Sequence, residues 1–255
     1  MRGFKAYSLH PLPKMHRIFV SDLHLCPARP AINQTFFDFL RGPAAQAEAL
    51  YILGDLFEYW AGDDDDDPFN ASVLALLRAL NDGGVALYLM HGNRDFLIGE
   101  RFGAACHAAL LPDPTLIDLY GIRTLLMHGD TLCTDDAGYQ EFRAKVRNPA
   151  YQKQFLAQSL VQRKQIITGL RAENVEKKQL KSEAIMDVTP ATVESILREH
   201  NYPRLIHGHT HRPALHRHIV DGHRCERWVL ADWYTSGSYL HCDAAGCRVI
   251  KLAAG

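Results

Sequence analysis

The 255-residue sequence has no long hydrophobic run and no excess of charge of either sign. Its longest apolar stretches, residues 73–77 and 85–90, are far shorter than the roughly 20 residues that a transmembrane helix needs. Lysines and arginines number 28 against 29 aspartates and glutamates, for a formal net charge of −1. Bulk charge therefore offers no basis for binding nucleic acid. We expect no transmembrane helix and no nucleic-acid partner.

Paired cysteine motifs are also missing. The six cysteines show no C-x-x-C spacing, and a chain of this length can bury a sufficient core without disulfides. Residues 1–14 carry scattered basic residues but no apolar core, which is not the composition of a secretory signal. We expect free thiols, a cytoplasmic location and one large domain that spans residues 1–255.

The sequence does contain five short apolar runs that each end in polar residues. The runs are residues 17–21, 50–53, 85–90, 122–127 and 205–206. The side chains that follow them are, in order, Asp22 and His24, Asp55, Asn93 and Arg94, His128, and His209 and His211. Because ligands of α/β sheets bind outside the carboxyl ends of the strands, we predict that these five ends build one polar site.

The rest of the pattern predicts helices and hairpins around these strands. Apolar residues recur at helical spacing in residues 30–40 and in a helix that begins at Pro68, and residues 96–109 are predicted to be a less regular helix. Turn residues predict one hairpin within residues 115–127 and others around Asp221-Gly222 and between residues 238–241 and 248–252. This order indicates an α/β fold of two mixed sheets with helices outside.

Two segments stand apart by their charge. Residues 63–67 are five consecutive aspartates, and because adjacent like charges repel we predict a solvated loop, with contact to a cation as the alternative. Residues 139–201 show helical patterns and no strand signal, and between Glu141 and Lys181 they hold ten basic and three acidic residues beside an apolar stripe. Two interpretations stay open: a helical hairpin with a solvated basic face, or a lid over about residues 139–200 that contacts something both anionic and apolar.

The candidate ligands exceed what one metal ion takes: Asp22, His24, Asp55, Asn93, His128, His209 and His211. Two cations roughly 3.5–4 Å apart form the known clamp for in-line attack on phosphorus, and one carboxylate can bridge them. Imidazole, carboxylate and amide ligands without thiolate favour Mn²⁺, Fe or Zn²⁺ over Mg²⁺. The pattern therefore predicts a two-metal site for phosphorus chemistry.

In their order along the chain, the motifs Asp-x-His, Gly-Asp, Gly-Asn-x-Asp, His and Gly-His-x-His resemble the calcineurin-like metallophosphoesterase superfamily, from about Arg17 to Gly237. The resemblance implies a four-layer α/β/β/α sandwich with a two-metal site. The implied ligands are Asp22, His24 and His211 for the first metal, and Asn93, His128 and His209 for the second, with Asp55 as the bridge.

One position departs from the commonest pattern of that superfamily. Many members have a histidine after the Gly-Asn pair, where it acts as an acid near the leaving group, whereas this chain has Arg94. An arginine cannot give up its proton near neutral pH, but it can hold phosphate oxygens through two hydrogen bonds. The substitution therefore favours a leaving group that needs no proton, such as the phosphate released from a pyrophosphate.

Gly-Asn-Arg-Asp, the stretch around residues 59–65, the helical insertion and residues 205–213 together resemble the branch of the superfamily that hydrolyses UDP-2,3-diacylglucosamine in lipid A biosynthesis. That resemblance implies Mn²⁺-dependent attack of water on the α-phosphorus, with UMP and 2,3-diacylglucosamine 1-phosphate (lipid X) as products. It implies catalytic roles for Asp55, Asn93, Arg94 and His209. It also implies substrate contacts at Asn93, Arg94, Asp136, Asn174, Lys178, Lys181 and His209. We further expect a monomer that associates peripherally with the cytoplasmic face of the inner membrane.

Two competing hypotheses remain. One is a broad phosphodiesterase or nucleotide phosphatase of the same fold, which would need no basic, amphipathic lid. The other is a non-enzymatic interaction scaffold, which would lack some of the metal ligands. All seven are present in this sequence, so the pattern favours an enzyme.

Overall fold

The fold comes from a computed structural model that describes residues 15–180 and 187–252, with the backbone alone for residues 172–180. The strands, numbered in chain order, are β1 (Arg17–Val20), β2 (Ala49–Leu53), β3 (Ala86–Met90), β4 (Ala108–Leu111), β5 (Thr115–Leu119), β6 (Ile122–Leu126), β7 (Arg204–His207), β8 (Ala214–Val220), β9 (His223–Val229), β10 (Ser238–Asp243) and β11 (Gly246–Lys251). The helices are α1 (Pro30–Arg41), α2 (Pro68–Asp82), α3 (Glu100–Cys106), α4 (Ala137–Val146), α5 (Pro149–Leu156), α6 (Leu160–Leu180) and α7 (Pro190–Glu199).

The strands form two mixed sheets. The first has the order β11-β10-β1-β2-β3-β4, in which β1 to β4 are parallel and β10 pairs antiparallel with both of its neighbours, β1 and β11. The second has the order β5-β6-β7-β9-β8, in which β6, β7 and β9 are parallel neighbours. Every residue of β2 is buried, as expected for a parallel strand that is covered on both faces.

Three apolar clusters define four layers. Between the sheets, the rings of Phe19, Tyr51 and Tyr88 stack in a ladder with centroid distances of 4.7 and 4.5 Å. On the outer face of the first sheet, α1 to α3 bury residues such as Phe36. Helix α7 packs Val193 onto the second sheet. The resulting α/β/β/α sandwich confirms the predicted fold class.

Local chemistry explains many of the element boundaries. Proline occupies the first turn of α1, α2, α5 and α7, where its missing N–H leaves no hydrogen bond unmade. The hairpin of β8 and β9 turns through Asp221 and Gly222 with φ angles of 51° and 84°. That left-handed pair is the one that a two-residue hairpin requires.

The predicted helix over residues 96–109 is correct only for residues 100–106 and wrong at both ends. Helix α3 ends at Cys106, and His107 takes a left-handed φ of 56°. The chain then continues as β4, which pairs in parallel with β3 at the edge of the first sheet. The segment Ala-Ala-Leu-Leu is too short and too helix-prone to reveal a strand that only its pairing stabilises.

The prediction of a solvated loop for residues 63–67 is also wrong for most of that run. Asp64 forms a bidentate pair with Arg163, and Asp65 accepts a 2.7 Å hydrogen bond from Lys164. Both basic residues belong to α6. The positive charge that they supply offsets the repulsion between neighbouring aspartates, so the acidic run anchors the helix on the body of the protein.

The expectation of six free thiols is wrong for one pair. Cys242 and Cys247 are directly opposite each other on β10 and β11 and form a disulfide. Cys26, Cys106, Cys133 and Cys225 remain thiols. The pairing depends on cross-strand register, which the cysteine spacing alone does not reveal.

Helices α4, α5 and α6 form the helical insertion predicted after residue 139. Within the described part of residues 139–201, all regular secondary structure is helical, and short turns separate the helices. The assignment of the whole chain to one domain with a lid stays a prediction. No helix among the described residues is both long and apolar enough to cross a membrane.

Candidate metal centre

The strand ends deliver the candidate ligands through an unusual backbone conformation. Asp22, His24, Asp55, His209 and His211 have φ angles between 49° and 67°. Side-chain-bearing residues rarely adopt these left-handed values, and such strain is concentrated at functional sites. The turns bring side chains two residues apart, such as Asp22 and His24, to the same space beyond the carboxyl ends of the strands.

Glycines next to the ligands allow the loops to approach closely. A Cβ atom on Gly92 would lie 2.0 Å from Asp55 Oδ1, and one on Gly208 would lie 2.2 Å from Asp22 Oδ2. Neither contact is possible for a real side chain. The glycines of the Gly-Asn and Gly-His motifs are therefore required so that neighbouring strand ends can meet around the carboxylates.

The first group of donors surrounds one oxygen of Asp22. Its Oδ1 atom lies 3.3 Å from His211 Nε2, and this nitrogen lies 3.3 Å from His24 Nε2. The other oxygen, Oδ2, accepts hydrogen bonds from the hydroxyl of Ser21 at 2.6 Å and from the N–H of His209 at 2.8 Å. Asp22 thus uses one oxygen to hold the loops together and presents the other, with two imidazoles, to a common point.

The second group surrounds the side-chain oxygen of Asn93. This oxygen lies 3.1 Å from His128 Nε2 and 2.9 Å from His209 Nδ1. The other nitrogen of His128, Nδ1, lies 2.9 Å from the carbonyl oxygen of Leu53 and donates its proton there. In the neutral ring, Nε2 then carries a lone pair that faces another acceptor, so a proton or a cation must lie between them.

Asp55 lies between the two groups. Its Oδ2 atom is 3.8 Å from His24 Nε2 and 3.9 Å from His128 Nε2, while Oδ1 accepts a 2.8 Å hydrogen bond from the N–H of Arg94. Burial raises the pKa of Asp55 to about 7. A divalent cation on each side would supply the positive charge that this buried carboxylate lacks.

The protonation of the histidines follows from burial and from the carboxylates around them. Burial lowers the pKa of His209 to about 3, so its ring is neutral and can bind a metal. Burial also lowers the pKa of His128, but the carboxylates of Asp55 and Asp22 outweigh it and raise that pKa to about 9. The donor set therefore fits two divalent cations, and in their absence a proton takes the place of one of them.

Asp95 is a site-building residue that the sequence analysis missed. It is fully buried, and its carboxylate accepts hydrogen bonds from the backbone N–H groups of Gly92 at 2.8 Å, Leu56 at 2.8 Å and Asp55 at 3.3 Å. It thereby ties the loop after β2 to the loop after β3. The position of this aspartate within Gly-Asn-Arg-Asp was the available signal.

A cavity of about 740 Å³ extends from these donors to the helical insertion, within the size range of small-molecule sites. Arg94 lines its polar end. The apolar side chains that line it include Trp60, Phe96, Leu97, Phe142, Val146, Phe155, Ile167 and Leu170. The cavity therefore combines a charged end at the donor set with an apolar wall formed largely by α4, α5 and α6.

The other predicted substrate contacts divide into two groups. Asp136 lines the cavity, and its side chain also caps α4 by accepting a 3.1 Å hydrogen bond from the N–H of Tyr139. Asn174, Lys178 and Lys181 lie outside the side chains that the structure describes. Their predicted contacts stay predictions.

Tyr139 and Arg143 were missed by the sequence analysis. Both line the cavity, and both donate to the buried carboxylate of Asp130, at 2.8 and 2.7 Å. The Tyr139 ring also lies 5.8 Å from the ring of His209. These contacts fix the start of the insertion against the donor set, and no short sequence motif signals them.

Comparison with known proteins identifies the class to which this fold and donor set belong. Residues 15–213 match the calcineurin-like phosphoesterase family, so the chain belongs to that family and is a metallophosphoesterase, a class of hydrolases that use divalent metals. This confirms the resemblance carried by the strand-end motifs.

Within that class, the chain belongs to the family of bacterial proteins named UDP-2,3-diacylglucosamine hydrolase. It is 57% identical to the protein of that name from Aromatoleum aromaticum, over 91% of this chain and 95% of the relative. It is 50% identical to the one from Xanthomonas axonopodis pv. citri, over 94% and 100% respectively. A solved archaeal phosphodiesterase aligns over 93% of this chain and 100% of its own, with 13% identity and a TM-score of 0.44.

Proposed function

We propose that this protein hydrolyses the pyrophosphate bond of UDP-2,3-diacylglucosamine. Water attacks the α-phosphorus, and the products are UMP and 2,3-diacylglucosamine 1-phosphate. The observation that carries the proposal is the cavity, which joins a two-centre donor set to an apolar wall. A substrate whose diphosphate links a uridine to a sugar that carries acyl chains matches this division. The names of the relatives agree with it.

We assign the donor set to two Mn²⁺ ions, with Fe or Zn²⁺ as alternatives, because the ligands mix imidazole, carboxylate and amide groups. Asp22, His24 and His211 would hold one ion, and Asn93, His128 and His209 the other, with Asp55 between them. When bound, the two cations would polarise the phosphoryl group and lower the pKa of the attacking water.

The chain's own residues orient the diphosphate and neutralise its charge. The guanidinium of Arg94 at the polar end of the cavity donates to phosphoryl oxygens as charge moves toward the leaving phosphate. Asn93 and His209 border the same space and fix the position of the α-phosphoryl group. The leaving sugar phosphate needs no proton, which agrees with an arginine rather than a histidine at position 94.

The insertion supplies the rest of the substrate site in this proposal. Its apolar side chains accept the acyl chains, and Asp136, Asn174, Lys178 and Lys181 contact the phosphosugar. Leu156 and Val161 are 41% and 66% exposed at the junction of α5 and α6, and Lys153 is exposed nearby. Apolar side chains beside a cation suit the surface of an anionic bilayer, so we propose peripheral association of a monomer with the cytoplasmic face of the inner membrane.

The test is an assay of the purified protein on UDP-2,3-diacylglucosamine, with Mn²⁺ or with EDTA, and with the products identified by mass. We expect UMP and 2,3-diacylglucosamine 1-phosphate with Mn²⁺ and neither product with EDTA. Bis(p-nitrophenyl) phosphate is the comparison substrate. Efficient hydrolysis of this diester without turnover of the lipid would support the competing hypothesis of a broad phosphodiesterase and would refute the lipid assignment.

A further inference from the structure

Glu58 lies beside the candidate ligand His24 on the side that faces away from the other donors. The N–H of His24 donates to the carbonyl of Asp55, and the N–H of Glu58 donates to the carbonyl of Leu25. These backbone hydrogen bonds, with a bridge between Leu25 and Phe57, run the loop after β1 alongside the loop after β2. This pairing places Glu58 beside the Nδ1 side of the His24 ring. Glu58 is buried there, with 7% of its surface exposed.

The ring nitrogen of His24 that faces Glu58 has no hydrogen-bond partner among the described residues. This nitrogen, Nδ1, is buried and lies 3.8 Å from Glu58 Oε2. The opposite nitrogen, Nε2, points to Asp22, Asp55 and His211. A neutral imidazole that gives its Nε2 lone pair to a metal must carry its proton on Nδ1. The metal-loaded ring would therefore present a buried donor directly to the carboxylate.

Other contacts hold both partners in register. Glu58 Oε2 accepts a hydrogen bond from Arg29, and Oε1 accepts one from Arg171 of α6. The ring of Tyr234 stacks on His24 at a centroid distance of 4.9 Å and an interplanar angle of 9°, and the Arg29 guanidinium lies 4.7 Å from the centre of the same tyrosine ring. A carboxylate oxygen has more than one lone pair, so Oε2 can accept from His24 while it keeps Arg29.

We propose that Glu58 is a positioning residue for the metal site. In the loaded protein its carboxylate accepts the hydrogen bond of His24 Nδ1, which fixes the tautomer and orientation of that ligand. Metal-bound histidines commonly have such a carboxylate partner, and its loss typically costs 10–100-fold in metal affinity. The same carboxylate accepts from Arg171, so Glu58 also links this ligand to α6. The inference rests on the proposed role of His24 as a metal ligand.

The test is calorimetric titration of metal-free full-length protein with Mn²⁺ alone. We expect Glu58→Gln to weaken one of the two Mn²⁺ sites by about 10–100-fold and to leave the other site unchanged. The matched control is Glu48→Gln, since Glu48 also pairs with an arginine, Arg17, at 3.2 Å but is not in contact with the donor set. Equal Mn²⁺ affinities in Glu58→Gln and wild type, within about twofold, would overturn the proposal.

A ligand variant separates this inference from the proposed function. His24→Gln is expected to weaken the same site as Glu58→Gln. If His24→Gln leaves both Mn²⁺ sites intact, the proposed ligand set is wrong. If it removes one site while Glu58→Gln keeps both, the ligand set stands and the positioning role of Glu58 is wrong.

A measurement on the unmutated chain covers the case in which Glu58→Gln does not fold. In protein loaded with diamagnetic Zn²⁺, nitrogen NMR of the imidazoles should show a slowly exchanging proton on His24 Nδ1, assigned by its disappearance in His24→Gln. A His24 ring that lacks this protected proton would contradict the hydrogen bond to Glu58.

Discussion

The backbone N–H of His209 donates a 2.8 Å hydrogen bond to the carboxylate of Asp22, which joins two candidate ligands that are 187 residues apart in sequence. Asp22 follows β1 of the first sheet, and His209 follows β7 of the second. The donor set therefore exists only where the two sheets meet. Neither half of the chain can build it alone, which explains why the motifs span almost the whole sequence.

Replacing the central carboxylate should abolish turnover without unfolding the protein. In Asp55→Asn the shape is kept, but the oxygen between the two donor groups loses its charge. We expect hydrolysis to vanish and the metal content to fall below that of the wild type. Burial raises the pKa of Asp55 to about 7, so its charge is unfavourable in the metal-free fold. Above pH 7 the free energy of unfolding of metal-free Asp55→Asn should therefore equal or exceed that of the metal-free wild type.

Metal analysis and urea unfolding test this prediction together with the rate. Retained turnover in Asp55→Asn would contradict the two-metal proposal. An unfolded variant would show instead that the carboxylate has a structural role that its position between the histidines does not explain.

Arg94 should affect the chemical step rather than metal binding. Arg94→Ala is expected to lower turnover about 10²–10³-fold, the typical cost of removing one donor that stabilises developing charge. Arg94→Lys should recover part of this loss, because a lysine keeps the charge but not the paired geometry. The backbone N–H that Arg94 gives to Asp55 is the same in both variants, so Mn²⁺ affinity should stay within about twofold of wild type. A large loss of Mn²⁺ affinity in either variant would argue against this assignment.

The aspartate run should control the docking of α6. Asp64→Asn leaves the guanidinium of Arg163, which is 1% exposed, without its bidentate partner. Removing one partner of a buried ion pair is strongly destabilising. Because half of the Asp64 side chain is exposed, we expect the free energy of local unfolding of α6 to fall by only about 1–3 kcal/mol. Hydrogen exchange in residues 160–171 measures it. Asp66→Asn, on an exposed neighbour in the same run, is the control, and equal exchange in the two variants would contradict the anchor.

Stability of the metal-free protein should fall in mild acid, in part through His207. This residue is fully buried, accepts a hydrogen bond from Arg227 at 3.1 Å, and has a pKa that burial lowers from 6.5 to about 3. Below pH 6.5 this histidine is protonated in the unfolded chain but stays neutral in the folded chain until about pH 3. Its contribution to the free energy of unfolding is therefore complete above pH 6.5 and is lost as the pH falls.

The variant His207→Gln keeps an acceptor for Arg227 but does not titrate. Between about pH 7.5 and pH 5.5 its loss of unfolding free energy should be smaller than that of wild type by about 1 kcal/mol. His107→Gln, at an exposed position, should behave like wild type. Urea unfolding at the two pH values measures the difference, and identical losses in all three proteins would refute the assignment.

The sequence predicted the strand-end site because each ligand motif directly follows an apolar run. Chain order and the rule that ligands bind at strand ends were then sufficient to bring Asp22, Asp55 and His209 together. Hairpins such as that at Asp221-Gly222 were predictable because the turn demands particular residues.

Features that depend on long-range partners were beyond prediction. Asp64 meets Arg163 across 99 positions, and Glu58 meets Arg171 across 113, so nothing local distinguishes these carboxylates from solvated ones. Strand β4 was missed for the same reason, since its stability comes from pairing with β3 and not from its own apolar pattern. Charge repulsion was the correct local argument for the aspartate run, but cations from a distant helix outweigh it.

The most direct test of the central claim is the fate of the oxygen of water in one turnover. Protein loaded with Mn²⁺ is mixed with UDP-2,3-diacylglucosamine in water enriched in heavy oxygen. The reaction is quenched, and the masses of both products are measured by mass spectrometry. Attack on the α-phosphorus predicts that the heavy oxygen appears in UMP alone. Heavy oxygen in 2,3-diacylglucosamine 1-phosphate would place the attack on the other phosphorus, and an absence of products would contradict the proposed activity itself.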